Sequence, residues 1–230
     1  MTVSSATSPA PAAPALENGD RLDQPTFHAR YHEMPERFRA ELIGGTVYVP
    51  SPLKADHGDI HGLLMTWLNL YRGKTSRTRV LDNATDILGN DSEPQPDACL
   101  VLEGGQTRLN RDGYLVGPPE FIAEVASSSQ SYDLFQKRED YERYGVGEYL
   151  VVVVRESRVV WFVRPAGNQA ASSYTELSPG PDGVFRSVSL PGLWLDPGAL
   201  FNGDVERLVS VLNAGLATPE HVAFAARNRP

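Results

Sequence analysis

The chain has 230 residues, 41% hydrophobic and 22% charged, which suits one large domain or a domain plus tails. Its single cysteine, Cys99, excludes an intramolecular disulfide framework and points to a reducing, cytoplasmic setting. No apolar run reaches the roughly 18–20 residues of a membrane span, and a net charge of −8 disfavours broad nucleic-acid binding while leaving room for local basic stripes.

Residues 1–24 are rich in Ala, Pro, Ser and Thr without an apolar period. They read as a disordered tail, because so little apolar surface cannot offset the entropy of ordering the chain. No basic region followed by an apolar stretch marks a secretory signal. Phe27, Tyr31 and Met34 have the spacing of a short amphipathic helix, stopped near Pro35. Gly44-Gly45 between two β-prone runs predicts a hairpin with a two-residue turn. Ile60, Leu63, Leu64, Trp67, Leu68 and Tyr71 form a helical stripe over Asp56–Tyr71, with Asp56 as N-cap and Gly73 as stop.

Strand-like stretches follow over Arg77–Leu88 and Asp97–Leu102, then an irregular insert from Glu103 to Pro119. Phe121–Val125 is a compact strand, Ser127–Ser131 a polar turn, and Tyr132–Tyr144 a charged helix ended by Gly145 and Gly147. Tyr149–Val154 and Arg158–Val163 are strong strands, and the Val151–Val154 run suggests a central strand covered on both faces. Weaker strands around Tyr174–Leu177 and Val184–Ser189 precede a helix over Asp204–Asn213, with Val205, Leu208, Val209 and Leu212 on one face. The folded domain is expected over residues 25–215, and residues 216–230 as a tail or short helix. This order fits an α+β fold with a mixed sheet flanked by helices, since hairpins outnumber βαβ crossovers.

Phosphate-binding and serine-hydrolase signatures are absent from the sequence, and Cys99, inside an apolar strand, reads as a buried inert thiol. His57 and His61 stand four apart on a helix, as zinc ligands can. Gly58 occupies the place of the zincin glutamate, so surface or capping roles are favoured, with His57 a secondary candidate near a polar cleft. His28 and His32 share this spacing more weakly.

The informative feature is Glu124 inside Phe-Ile-Ala-Glu-Val, 27 positions after Asp97. A half-buried charge there costs several kcal/mol unless paired or bound to metal. Two acids at one end of adjacent strands would make an oxygen-rich site for Mg²⁺ or Mn²⁺, whereas a structural Arg partner for Glu124 is the plain alternative. Lys137 either forms a surface i, i+4 pair with Asp133 or aims its ammonium at that site. Glu41 is a further acid, equally consistent with solvent exposure. Arg72, Lys74, Arg77 and Arg79 form a basic run that suits a solvated loop better than phosphate contacts.

The ordered series Glu41-Leu42-Ile43-Gly44-Gly45, His57, Pro96-Asp97, Gly117 to Ser127, Asp133, Lys137, Tyr141, Gly145 to Tyr149 and Leu190 to Leu193 resembles the Uma-type family of putative restriction endonucleases, within the PD-(D/E)XK nuclease superfamily. The resemblance spans roughly Phe27 to Asn213. It implies a restriction-endonuclease-like core, a mixed central sheet flanked by helices with extra C-terminal β-hairpins. It also implies an Mg²⁺-dependent endonuclease acting on DNA, with Mn²⁺ as a substitute ion, and a homodimer. By matched position Asp97 and Glu124 are the motif acids, and they hold the metal with the Val125 carbonyl. Glu41 is the acid of the first core element. The superfamily lysine two residues after the second acid is Ala126 here, and Lys137 from the next helix takes its place. A nucleic-acid or protein-binding module without catalysis on the same fold is the alternative.

Overall fold

The computed structural model describes residues 14–127, 132–165 and 173–227. The first part of the expected tail and positions 128–131 of the expected polar turn lie outside them. Among the described residues no helix is long and apolar enough to cross a membrane.

The chain opens with α1 (Gln24–His32), capped by the Asp23 side chain on the Thr26 amide. Met34 falls beyond that helix. Residues 14–23, expected within the tail, are instead packed: Leu16 is buried against the cluster of Phe27, Leu42 and Val47, and Arg21 bridges to Thr46. A hairpin follows, β1 (Glu41–Ile43) and β2 (Thr46–Tyr48). Gly44 and Gly45 both adopt positive φ (54° and 73°), the conformation a two-residue hairpin turn demands.

Next comes α2 (Ala55–Arg72), whose N-cap is Lys54 and not Asp56. Asp56 sits within the first turn, where its carboxylate still complements the positive end of the helix dipole. Then follow β3 (Thr78–Asp82), β4 (Asp86–Ile87), β5 (Ala98–Leu102), β6 (Arg108–Leu109), β7 (Leu115–Val116) and β8 (Phe121–Ala126). The insert expected to be irregular carries β6 and β7, which complete a small sheet with β4. Two-residue strands leave too short a period to be read in a sequence.

The expected charged helix is a π-helical segment, Tyr132–Lys137, running into α3 (Arg138–Tyr144). Gly145 ends it in the left-handed region, φ 92°. Thereafter come β9 (Glu148–Val153), β10 (Arg158–Val163), β11 (Thr175–Glu176), β12 (Phe185–Arg186), β13 (Trp194–Leu195), α4 (Pro197–Phe201), α5 (Val205–Leu216) and α6 (Pro219–Arg227). The buried stripe of α5 is Leu208, Val211, Leu212 and Gly215, rotated from the expected one, and Val205 is exposed. Beyond α5, α6 buries His221 against Tyr71.

Six strands form the central sheet in the order β11-β10-β9-β8-β5-β3. Among the described strands of this sheet β8 and β9 alone pair in parallel, with the π-helical segment and α3 between them in the chain. The fold is therefore α+β with a mixed sheet, extended by C-terminal hairpins. One sheet face packs Phe121, Ala123, Val125, Leu150 and Trp161 against Trp67 and Leu64 of α2. The other packs Cys99, Ile122, Ala126 and Val151 against Tyr141 of α3. Both faces of β8 and β9 are thus covered, which accounts for their mostly apolar sequences apart from Glu124 and Glu148. Cys99 is buried, and burial pushes its thiol well above the ordinary range.

Two buried carboxylates away from the cleft contrast in their surroundings. Glu148 accepts from Trp161 Nε1 at 2.8 Å, Ser187 Oγ at 2.9 Å and the Ser189 amide at 2.6 Å, tying β9 to the C-terminal hairpin. Asp86 is fully buried, and among the described residues neither of its oxygens has a hydrogen-bond partner. Burial pushes its carboxyl well above the usual range. The folded group therefore holds its proton to higher pH than the unfolded one. Its destabilising contribution is absent below about pH 4 and grows as the pH rises. Asp86→Asn is expected to stabilise the protein by about 1–3 kcal/mol at pH 7, with the gain shrinking towards pH 4 in denaturant titrations.

Candidate active site

The site begins with strand register. β5 and β8 are antiparallel with Ala98 opposite Ala123. One further step along that ladder sets Asp97 beside Glu124, on the same side of the sheet. The Asp97 carboxylate Oδ2 accepts the Val125 amide at 2.8 Å, and the Asp97 amide approaches Glu124 Oε2 at 3.4 Å. Each acid is thereby fixed against the backbone that carries the other.

Glu41 arrives from the hairpin. Its strand is bridged to the incoming chain at Leu42 and Glu93, and its Oε1 accepts the Gln95 amide at 2.7 Å. Lys137 arrives from the π-helical segment, whose wide i→i+5 turn is a feature common at functional sites. Its ammonium lies 2.8 Å from Glu124 Oε1 and 3.0 Å from Glu41. Lys137 and Asp133 are both buried, so the surface pair between them is replaced by an internal cluster. Glu41 is likewise buried. Ala126, where the superfamily lysine would stand, lies in the core.

Burial acting alone would lower the Lys137 pKa, but the Glu124 and Glu41 carboxylates outweigh it and hold the ammonium well above its ordinary value. Lys137 is therefore a fixed cation and not a base. Burial pushes Glu124 up, the Lys137 ammonium opposes this, and Asp97, Glu41 and Asp133 add repulsion. Both shifts have one meaning: four carboxylates around one ammonium leave the site short of positive charge.

His57, a secondary candidate for which the sequence favours a surface or capping role, is buried on α2 and lines the cleft. Its Nδ1 lies 3.0 Å from the Val125 carbonyl, which can only accept, so Nδ1 carries a proton. Its Nε2 lies 3.5 Å from Asp97 Oδ1. The Asp97 contact raises the His57 pKa against the opposing effect of burial. Asp97 is raised by burial, but His57 reverses this and leaves it below the usual range. His61, one turn on, holds the Asp97 carbonyl at 2.9 Å.

All seven expected site positions (Glu41, His57, Asp97, Glu124, Val125, Asp133 and Lys137) line one cleft of about 630 Å³. None of the basic run Arg72, Lys74, Arg77 and Arg79 lines it, and Arg77 and Arg79 lie near Glu103 instead. Three residues were not expected in the site. Tyr141 donates to Glu124 Oε1 at 3.0 Å, and its place four residues after Lys137 on one helix face was the available signal. Tyr132 lies 5.4 Å beneath the Lys137 ammonium and forms the wall with Tyr48. Exposed Arg39 is at the rim.

Among the described residues no three His, Cys, Asp or Glu side chains are arranged to hold a metal by themselves. The donor set suits Mg²⁺ nonetheless, an ion that keeps several waters and takes one or two carboxylates. Asp97 Oδ1, Glu124 Oε2 and the second lone pair of the Val125 carbonyl retain capacity after the contacts above.

The Uma2 family, described as a putative restriction endonuclease, matches residues 26–198. The chain belongs to this family. Among solved structures it is similar to a putative nuclease belonging to DUF820 from Anabaena variabilis, at 16% identity and a TM-score of 0.56. That likeness covers 76% of this chain and 96% of the other, and is one of fold. No curated protein matches.

Removing the ammonium strands two buried carboxylates. Lys137→Met is expected to cost about 3–5 kcal/mol, and Glu124→Gln in the same chain to recover part of it in a double-mutant cycle. In proton NMR the His57 ring is expected to titrate above about 6.5 and to fall back in Asp97→Asn. Its stabilising contribution is complete below that unfolded value and lost as the pH rises through the folded one. That of Asp97 is present above about pH 3.9 and lost as the pH falls through its lowered value.

Proposed function

We propose that the protein is a metal-dependent endonuclease that hydrolyses phosphodiester bonds of DNA, of the PD-(D/E)XK type with its lysine relocated to Lys137. The observation that carries this reading is the meeting of Asp97, Glu124, Glu41 and Lys137 in one cleft with an excess of negative charge. Family membership and the nuclease-like fold support it.

Asp97, Glu124 and the Val125 carbonyl would hold Mg²⁺ or Mn²⁺. Such an ion, when bound, polarises a phosphoryl oxygen and lowers the pKa of water. The remaining roles belong to the chain. Lys137 fixes the Glu124 and Glu41 carboxylates and keeps a permanent positive charge where negative charge develops on the phosphate. Tyr141 leaves Glu124 Oε2 as the oxygen facing the cleft by occupying Oε1 together with Lys137. His57 orients Asp97. Arg39 at the rim gives an incoming backbone phosphate a fixed cation. Two chains paired as a homodimer would bring two such clefts to the two strands of a duplex.

Supercoiled plasmid incubated with Mg²⁺ or Mn²⁺ is expected to be nicked or linearised by the wild type. Asp97→Ala and Glu124→Ala are expected to lower the rate at least about 100-fold, the scale of lost electrostatic groups. Equal cleavage by wild type and Glu124→Ala removes the assignment. DNA binding without metal-dependent cleavage identifies a binding module on the same fold, and light scattering reports whether the chain pairs.

A further inference from the structure

A second cluster stands apart from the cleft. His28 and His32, four residues apart on α1, turn their rings toward each other until the two Nε2 atoms are 3.0 Å apart. The Tyr114 hydroxyl, from the loop between β6 and β7, lies 3.1 Å from His32 Nε2. On the far side of His28, Nδ1 is 2.8 Å from Glu93 Oε1. Glu93 is 1% exposed, and its other oxygen accepts from Gln24 Nε2 at 2.7 Å. None of these residues lines the cleft.

Proton placement in this cluster is constrained. The buried Glu93 carboxylate accepts, so His28 carries a proton on Nδ1, and in the neutral ring Nε2 then presents a lone pair. If His32 Nε2 carries a proton, that proton serves His28 and the Tyr114 hydroxyl must send its own elsewhere. If it does not, Tyr114 donates to it and two imidazole lone pairs face each other at 3.0 Å. Either way one contact goes unmade. A cation shared by the three atoms resolves the conflict. Two nitrogens bound tetrahedrally at 2.0–2.1 Å from one zinc ion sit about 3.3 Å apart, so little movement is needed. Histidine held by a buried carboxylate on its other nitrogen is also the usual outer-sphere arrangement of such ligands.

We propose that His28 and His32, with the Tyr114 oxygen as a third donor, form a binding site for a divalent transition ion of the zinc class. Imidazole nitrogen selects such ions over Mg²⁺ or Ca²⁺. Glu93 is the positioning residue: it orients His28 without touching the ion. Occupancy would clamp α1 to the β6–β7 loop. The proposal does not depend on the nuclease reading.

The test is Zn²⁺ titration of the full chain, free of any polyhistidine tag, by competition with a chromophoric chelator. A His57→Ala/Asp97→Ala variant controls for uptake by the cleft. Wild type and that variant are expected to take up Zn²⁺ at this site. His32→Ala should weaken it at least tenfold, and Glu93→Gln by about 10–100-fold. Saturating Zn²⁺ should raise the melting temperature of the His57→Ala/Asp97→Ala variant and leave it unchanged once His28→Ala/His32→Ala is added to that variant. Excess Mg²⁺ should not compete. Zn²⁺ uptake by His28→Ala/His32→Ala equal to wild type, or no uptake by wild type, overturns the site.

Discussion

One ammonium holds the cleft together. Lys137 Nζ, almost fully buried, bonds to Glu124 on β8 and Glu41 on β1, from a helical segment that follows β8. Those three elements meet at the cleft, and the β1–β2 hairpin forms a sheet of its own beside the central one. Carboxylates buried at this depth are tolerated only when paired and hydrogen-bonded. The lysine is thus a structural condition for the acids before it is anything chemical.

A single cation does not balance the surroundings. Asp97 leans on His57, Glu124 on Lys137 and Tyr141, Glu41 on Lys137 and the Gln95 amide. Lys137 contacts both Glu41 oxygens, whereas Asp97 Oδ1 and Glu124 Oε2 carry only the longer contacts, 3.5 Å to His57 and 3.4 Å to the Asp97 amide. Such a pocket attracts a proton or a metal ion, and both raised pKa values at Glu124 and Lys137 express that same deficit. Asp86, equally buried but without a charged partner among the described residues, shows the other outcome: it keeps its proton. Glu148 shows a third: hydroxyl, amide and indole donors oppose the burial that still pushes its carboxyl above the usual range. Three buried acids of similar depth differ only in what surrounds them.

Much of the fold was legible. The α2 stripe, the Gly44-Gly45 turn and the β9–β10 pair follow from periodicity and turn chemistry acting over a few residues. In the candidate site Glu124 was conspicuous for a related reason: a glutamate inside Phe-Ile-Ala-Glu-Val is out of place unless something compensates it, whereas nothing local to Glu41 distinguished it from an exposed strand residue. Errors fell where long-range packing decides. His57 stood only as a secondary candidate, because Gly58 occupies the place of a zincin glutamate, yet the β8 backbone lies against its ring. Leu16 looked like tail because its burial depends on Phe27 and the hairpin. The insert hid β6 and β7, two-residue strands that pair with each other and, through β7, with β4.

By itself the sequence determined the element types, the apolar strand that makes Glu124 conspicuous, and the charge excess of acids over bases. These are local or additive properties, set by period and composition. Only the tertiary structure decided that Glu41 and Glu124 share one ammonium, that His57 bridges Asp97 and Val125, and that two histidines of α1 meet a tyrosine more than eighty residues away. Such meetings depend on strand register and on the closure of long loops. A chain records both in many weak preferences and not in any one motif.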